Sequence, residues 1–250
     1  MEISASILAA NYSDLKPGGL YAEVAEKLGP AGGRIHLDLA DDKFAKKQID
    51  KDTFDFVVHD TWGLNGRLID IHLMMDKYPD YITNSYRGTN VDSGKCISSI
   101  TFHFESEGIF DFLDNVPRTF TNVGTINPKF NDLKKEIGPT VADILDGYNT
   151  IYKIDIGIGI LPDTNISKFA AFYNEFYPNI DSVLLLCVNP GFSYQEPVVN
   201  PIERVKEFKK LLPDFKGSIT VDGGVTVEML KDLENIGVDI AVQGGAIFGK

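Results

Sequence analysis

The stretch Ile35–Asp42, IHLDLADD, alternates apolar and polar residues with the two-residue period of a β-strand. Its apolar side chains would share one face, and the opposite face would carry His36 and Asp38 side by side. An imidazole beside a carboxylate fits either the solvated face of an edge strand or a metal or catalytic site. The neighbouring segments decide between these two interpretations.

Short apolar runs alternate with helical patterns along the rest of the sequence, which is typical of βαβ units and a parallel sheet. The predicted strands are Glu2–Ile7, Arg34–Leu39, Leu68–Met74, Ile97–Phe104, Tyr152–Leu161, Ser182–Asn189, Ser218–Asp222 and Ile240–Gln243. The predicted helices are Leu20–Leu28, Ile166–Phe176, Pro201–Leu212 and Val227–Ile236, with weaker patterns at Thr53–Val58, Pro79–Tyr86 and Glu107–Leu113. This order predicts an α/β fold, a (β/α)8 TIM barrel. A doubly wound open sheet is the competing architecture, because counting strands does not exclude it.

The segment between the fourth and fifth predicted strands is unusually long. We interpret residues 105–149, approximately, as an insertion packed on a single barrel domain that spans residues 1–250. Little sequence follows the eighth strand, so the last helix is predicted to be short or missing. A missing helix would leave apolar strand surface uncovered. We therefore expect the insertion or a second subunit to cover that surface, and a homo-oligomer.

Composition limits the classes of partner. The net charge of −12 argues against nucleic acid and anionic membrane surfaces. It also requires any phosphate site to be built locally, from backbone N–H groups. No run approaches the roughly 20 apolar residues of a membrane helix, and the first residues lack a signal-peptide pattern. Cys96 and Cys187 lack metal-ligand spacing and fit a reducing compartment, so a cytoplasmic protein is expected.

Polar side chains accumulate at the ends of the predicted strands, where barrel enzymes carry their catalytic groups. His36, Asp38, His72 and Asp222 offer two imidazoles and two carboxylates, a set that suits zinc, iron, manganese or cobalt as a divalent ion. For any one histidine alone, a hydrogen-bonded core or rim position is the alternative. Three strand-end histidines with two aspartates favour the metal site. His103 either orients the ligands or is structural.

Glycine pairs follow the last two predicted strands, in Val221–Val225 (VDGGV) and Gln243–Ala246 (QGGA). These two loops are the usual phosphate site of a barrel, with backbone N–H groups as donors. For an isolated glycine, a tight turn that needs positive φ is the alternative. The position of both pairs favours phosphate binding, and Asn189–Phe192 forms a further loop of close approach.

Taken together, these residues resemble the ribulose-5-phosphate 3-epimerase family, whose members are ribulose-phosphate-binding (β/α)8 barrels. The resemblance runs in order from end to end of the chain, excluding the insertion. The matching pieces are Ser6-Ile7-Leu8, His36-Leu37-Asp38, Asp41, Phe44, His72-Leu73-Met74, Phe102-His103-Phe104-Glu105, Pro162, Thr164, Val188-Asn189-Pro190-Gly191-Phe192, Gln195, Val221-Asp222-Gly223-Gly224-Val225, Gly244 and Ala246-Ile247-Phe248.

The resemblance implies a metal-dependent epimerase of carbohydrate metabolism that inverts C3 of a phosphorylated ketose through an enediolate. Ribulose 5-phosphate or xylulose 5-phosphate, of the pentose phosphate route, is one implied substrate, and a hexulose phosphate such as allulose 6-phosphate is another. It implies a divalent metal on His36, Asp38, His72 and Asp222, with Asp38 and Asp222 also as the acid/base pair. The implied substrate and phosphate positions are Ser6, Met74, Gly191, Gly223, Gly224, Gly244 and Gly245.

The sequence departs from the family pattern in the pocket and in the phosphate loops. Ala40 and Leu186 replace two of three methionines, which favours a wider pocket. Ser193-Tyr194 replaces a glycine pair, and Gly245 replaces a serine. None of these changes touches the predicted metal ligands. The altered phosphate loops and the missing last helix favour a non-catalytic sugar-phosphate-binding paralogue as the alternative function, whereas the retained Asp38 and Asp222 argue against it; a barrel metal hydrolase is a third.

Overall fold

Eight parallel strands close into a barrel in the computed structural model, which describes residues 1–9, 28, 33–45, 68–76, 97–109, 119–121, 151–176 and 180–249. In chain order the strands are β1 (Glu2–Ser6), β2 (Arg34–Ala40), β3 (Ile69–Met74), β4 (Ile97–His103), β5 (Thr119–Thr121), β6 (Ile151–Lys153), β7 (Asp155–Ile160), β8 (Ser182–Leu186), β9 (Ser218–Asp222) and β10 (Ile240–Gln243). The barrel order is β1-β2-β3-β4-β7-β8-β9-β10, and β1 pairs with β10. This closure confirms the predicted TIM barrel and excludes the open sheet.

A second, two-stranded sheet lies between β4 and β7 in the chain, where β5 pairs antiparallel with β6. The predicted strand Tyr152–Leu161 is therefore wrong as a single element, because its first residues belong to this small sheet. Ile154, which is fully buried, separates β6 from β7. An apolar run does not reveal a change of sheet, since the period is the same in both. Most of the predicted insertion at 105–149 lies outside the described residues.

The described helices are α1 (Ile166–Phe176), α2 (Pro201–Leu211), α3 (Leu230–Asn235) and α4 (Gly245–Phe248), with 3-10 turns at Ile7–Ala9 and Val227–Met229. Helix α1 has its predicted bounds. The helix predicted at Val227–Ile236 is a 3-10 turn followed by α3. The four-residue α4 after β10 agrees with a short last helix. The helices predicted at Leu20–Leu28, Thr53–Val58, Pro79–Tyr86 and Glu107–Leu113 fall largely or wholly outside the described residues.

The two faces of each barrel strand differ in polarity. The outward side chains of β2, β3 and β4 join the main apolar core with residues of α1 and α2. The inward side chains are mostly polar, and the register places His36 beside Asp70 and Asp38 beside His72. Because β2 pairs with both β1 and β3, it is an interior strand. The alternative interpretation of Ile35–Asp42, as the solvated face of an edge strand, is therefore wrong.

Among the described helices, none is long and apolar enough to cross a bilayer. The homo-oligomer and the cytoplasmic location stay predictions.

Candidate active site

Four side chains converge at the carboxyl end of the barrel. His36 and Asp38 project from β2, His72 from β3, and Asp222 from the last position of β9. Each offers one ligand atom, and these four atoms lie within 4.8 Å of one another. Nε2 of His36 lies 3.3 Å from Asp38 Oδ1, 3.4 Å from His72 Nδ1 and 3.6 Å from Asp222 Oδ2. Ligands at about 2.0–2.2 Å from one tetrahedral ion are separated by roughly such distances, so the donor set fits a divalent metal.

Burial and mutual charge set the protonation of these four groups in the metal-free protein. Burial opposes protonation of His36, but Asp38 and then Asp222 outweigh it and raise the pKa of His36 to about 9. Burial, together with the charge of Asp38, raises the pKa of Asp222 to about 7. Burial also lowers the pKa of His72 to about 4. For Asp38, the imidazoles of His36 and His72 overcome burial and hold the carboxyl pKa well below its usual range. A divalent ion would thus replace the proton of His36.

A row of hydrogen bonds leads outward from His72. Its Nε2 lies 2.7 Å from Nε2 of His103, and Nδ1 of His103 lies 3.0 Å from Oε2 of Glu105. The other oxygen of Glu105 accepts the Leu161 N–H at 3.0 Å and the Thr164 hydroxyl. We call His72, His103 and Glu105 the outer triad. The structure therefore gives His103 polar contacts on both ring nitrogens.

A cavity of about 390 Å³ lies above the four converging side chains. Asp38 and Asp222 line its floor, whereas neither His36 nor His72 is among its lining residues. All of the predicted substrate and phosphate positions line it: Ser6, Met74, Gly191, Gly223, Gly224, Gly244 and Gly245. The volume is in the usual range for small-molecule sites, roughly 300–1,000 Å³.

The glycine loops at one end of the cavity require glycine for their backbone. Gly191, Gly223 and Gly224 have φ of 100°, 94° and 68°, in the left-handed region. A Cβ on Gly224 would also lie 2.8 Å from the ring of Pro197. These glycines allow the backbone to approach the cavity closely, which is the arrangement that the sequence predicts for a phosphate site.

Tyr194 ties three loops together at the same end of the cavity. It has φ of 61°, in the left-handed region that glycine adopts most readily, and the family that the sequence resembles has glycine at this position. Its hydroxyl donates to the carbonyl of Ala9 at 2.9 Å, and a second contact reaches the Phe248 carbonyl at 3.4 Å. Its ring packs on Gly245, where an added Cβ would lie 3.2 Å from Cδ1. The absence of a side chain at 245 thus accommodates Tyr194.

Some lining residues were not singled out by sequence. Glu196 and Glu228 line the cavity, and no lysine or arginine of the described residues does so. A glutamate in a loop or a helical first turn carries no sequence signal that distinguishes it from a solvated one. Ala40 is buried in a small cluster with Ala45 and Met74 and is not among the lining residues, so its small size does not widen the described cavity.

Comparisons with known proteins agree with this architecture. The sequence model of the Ribulose-phosphate 3 epimerase family matches residues 150–248. A ribulose-phosphate 3-epimerase of Serratia marcescens is 27% identical over 158 residues, which cover 46% of this chain and 75% of the relative. The protein of the same name from Buchnera aphidicola is 24% identical over 252 residues, covering 98% and 88%.

A solved structure supports the fold alone. KGPDC from Streptococcus mutans superposes with a TM-score of 0.52 at 12% identity, covering 100% of this chain and 90% of that one. The sequence relatives are more informative, because one of them aligns along nearly the whole length. Together with the barrel and its strand-end residues, they show that the chain is similar to ribulose-phosphate 3-epimerases, which are isomerase-class enzymes.

Proposed function

We propose that the protein is a metal-dependent epimerase that inverts C3 of a phosphorylated ketose. One observation carries this proposal: Asp38 and Asp222 belong both to the four-ligand cluster and to the floor of the cavity. A carboxylate in both positions is able to hold an ion and to exchange a proton with a bound sugar. Ribulose 5-phosphate or xylulose 5-phosphate is the first candidate substrate, and a hexulose phosphate such as allulose 6-phosphate is the second.

The reaction removes a proton from the carbon next to a ketone and returns one to the opposite face. Two groups placed on different strands suit this task, since the substrate then need not turn over. Asp38 lies on β2 and Asp222 on β9, and their pKa values shift in opposite directions. Both shifts belong to the metal-free protein, and an ion held by the two carboxylates would lower the pKa of each. We propose that Asp38 starts as the base and Asp222 as the acid in one direction.

The two oxygens of Asp38 have different partners. Oδ1 faces the imidazoles, 2.9 Å from His72 Nδ1 and 3.3 Å from His36 Nε2. Oδ2 accepts the Ser6 hydroxyl at 2.9 Å. We propose that Oδ1 contributes to metal binding and that Oδ2, held by Ser6, handles the proton. His36, His72, Asp38 and Asp222 would hold zinc, iron, manganese or cobalt, and the ion would supply Lewis-acid stabilisation of the negative charge next to the reacting carbon.

The phosphate group would bind at the glycine loops. Because no cationic side chain of the described residues lines the cavity, the available donors are uncharged, namely backbone N–H groups together with neutral side chains such as those of Ser193 and Thr226. Gly191, Gly223 and Gly224 bring the backbone to the cavity wall. Glu196 and Glu228 would disfavour a second anionic group at the mouth. This supports a substrate with one phosphate.

The test is incorporation of solvent deuterium at C3. Metal-loaded protein is incubated in D₂O with each ketose phosphate, and the C3 proton is followed by NMR. Asp38→Asn and Asp222→Asn are each expected to lower exchange by at least about 10²-fold, the scale of general acid–base catalysis. Asp214→Asn, at an exposed position, is the matched control. Bound metal is measured in every variant, so that loss of the ion is separated from loss of the base.

The alternative is a sugar-phosphate-binding paralogue without catalysis. The changed residues of the predicted phosphate loops, Ser193, Tyr194 and Gly245, favour it, whereas the retained Asp38 and Asp222 argue against it. Binding of a ketose phosphate to metal-loaded protein without any deuterium at C3 would support the paralogue and contradict the epimerase.

A further inference from the structure

We propose that Glu105, acting through His103, fixes the tautomer of His72 so that its Nδ1 lone pair faces the metal. Both would be positioning residues, since neither belongs to the ligand cluster. The inference rests on the proposed metal-dependent function and assigns two further residues to the same site.

The contact between the two imidazoles is the first step. Nε2 of His72 and Nε2 of His103 lie 2.7 Å apart, and both side chains are completely buried. At that distance one nitrogen must carry the hydrogen and the other must offer a lone pair. With both rings neutral, only two arrangements are possible. Either Nε2 of His72 donates to Nε2 of His103, or Nε2 of His103 donates to Nε2 of His72.

Glu105 selects between the two arrangements. Two hydrogen bonds donated to Oε1, from the Leu161 N–H and the Thr164 hydroxyl, favour the ionised form of Glu105, so the carboxylate is an acceptor only. Nδ1 of His103 must then donate to it. A neutral His103 has its lone pair on Nε2 and accepts the hydrogen from Nε2 of His72. The lone pair of His72 is consequently on Nδ1, which faces Asp38 and His36.

Asp38 competes with this arrangement. Its Oδ1 lies 2.9 Å from His72 Nδ1 and would accept a hydrogen there. That tautomer would leave two lone pairs facing each other between the imidazoles unless His103 also reversed, and a reversed His103 would present a lone pair to the carboxylate of Glu105. The carboxylate of Glu105 therefore keeps the ring hydrogen of His72 on Nε2 and prevents it from lying on Nδ1, where Asp38 would accept it.

Glu105 is itself held in place from the neighbouring loop. Its Oε1 accepts the Leu161 N–H and the Thr164 hydroxyl. The buried guanidinium of Arg204, on α2, donates to the carbonyls of Leu161 at 3.0 Å and Thr164 at 2.7 Å. This anchoring leaves Oε2 as the oxygen that faces His103.

Glu105→Gln is the decisive variant because it keeps the shape and reverses the polarity. The amide oxygen is expected to keep the Leu161 and Thr164 bonds, so the NH₂ group turns toward Nδ1 of His103. His103 must then accept at Nδ1 and donate from Nε2, and His72 is forced to carry its hydrogen on Nδ1. Glu107→Gln is the matched control, since Glu107 is two residues away and its side chain is 84% exposed. Thr164→Val is the second control, since it removes one anchor and leaves the carboxylate.

The readout is metal binding rather than activity. Each protein is titrated with Co²⁺ by its visible absorption and with Zn²⁺ by competition, and metal-free folding is checked by circular dichroism. Glu105→Gln is expected to bind about 10–100-fold more weakly, with an altered Co²⁺ spectrum. Glu107→Gln should match the wild type, and Thr164→Val should lie close to it.

Equal affinities of wild type and Glu105→Gln would overturn the inference, and so would an equal loss in Thr164→Val, which would indicate a structural effect alone. If the wild-type protein binds neither ion, this inference and the proposed function both fail. If the variant loses affinity as expected but the wild type incorporates no deuterium, the inference stands and the epimerase fails.

Discussion

The hydroxyl of Ser6 donates to Oδ2 of Asp38 at 2.9 Å, and both side chains are buried at the floor of the cavity. This bond orients the oxygen that we assign to proton transfer, while the other oxygen faces the imidazoles. Hydrogen bonds to charged groups contribute about 1.5–3 kcal/mol. We therefore expect Ser6→Ala to lower kcat by roughly 10–100-fold, because each factor of ten corresponds to about 1.4 kcal/mol, and to leave the metal content unchanged.

Ser6→Thr, which keeps a hydroxyl, is the control for that substitution and should retain more activity. Steady-state kinetics with the substrate found by deuterium exchange measure both variants, and atomic absorption measures the metal. Loss of metal from Ser6→Ala would contradict the assignment of metal binding to Oδ1 of Asp38 and of proton transfer to Oδ2.

Metal binding is expected to strengthen as the pH rises. In the metal-free protein the pKa of His36 is raised to about 9, above an ordinary value near 6.5. The stabilising contribution of its proton is therefore complete below pH 6.5 and is lost as the pH rises through 9. A metal must displace this proton, and also the proton that Asp222 keeps below its pKa of about 7, so its affinity should increase steeply up to about pH 7, less steeply to about pH 9, and then level off.

Calorimetric titrations with Zn²⁺ in two buffers of different ionisation enthalpy measure the released proton directly. The rise in melting temperature caused by the metal should likewise be larger at pH 9 than at pH 6.5. An affinity that is constant across this interval would show that His36 holds no proton in the metal-free site.

Two substitutions of Tyr194 are expected to rank in an unusual order of stability. Its left-handed backbone costs roughly 1–2 kcal/mol for a residue with a side chain, and glycine removes that cost. Its hydroxyl bond to Ala9 contributes about 1 kcal/mol. Both Tyr194→Phe and Tyr194→Gly lose this bond, but only Tyr194→Phe keeps the backbone strain, so it should be the less stable of the two. Urea unfolding of the two variants tests this order, and a markedly less stable glycine variant would mean that ring packing on Gly245 dominates.

A side chain at position 157 is expected to destabilise the barrel. A Cβ at this position would overlap Ser182 Oγ and lie 2.8 Å from Thr101 Oγ1, inside the barrel. Overpacking of this kind costs about 1–3 kcal/mol, so Gly157→Ala should lower the free energy of unfolding by that amount. Ser182→Ala removes the nearer oxygen and should restore part of the loss. Strictly additive effects in the double variant would contradict a direct contact between the two positions.

The sequence predicts the barrel and the convergence of its strand-end residues well, because both depend on a two-residue period. In β2 the apolar positions face the helices, and His36 and Asp38 face inward, as the alternation requires. The same rule places His72 on β3. The end of a parallel strand is also a defined place, so polar residues at several strand ends are expected to meet, and Asp222 does so.

Features that depend on contacts between distant segments could not be predicted. The partners of Glu105 are a backbone N–H and a hydroxyl in the loop after β7, and sequence spacing does not reveal them. A tyrosine gives no sequence signal for a left-handed backbone. Only the glycine that the resembled family has at this position predicts the positive φ of Tyr194. The sequence does not reveal that the chain passes from one sheet to the other at Ile154, because strands of both sheets have the same two-residue period.

The distribution of the four converging side chains along the sequence has a consequence for biosynthesis. Three of them come from residues 36–72, whereas the fourth is residue 222, on the next-to-last strand of the barrel. A chain still emerging from the ribosome thus displays an incomplete donor set for most of its synthesis. Such a set holds an ion weakly, since a metal site rarely exists before the fold that assembles it. We therefore expect tight metal binding to begin only after β9 has been synthesised and has joined the barrel.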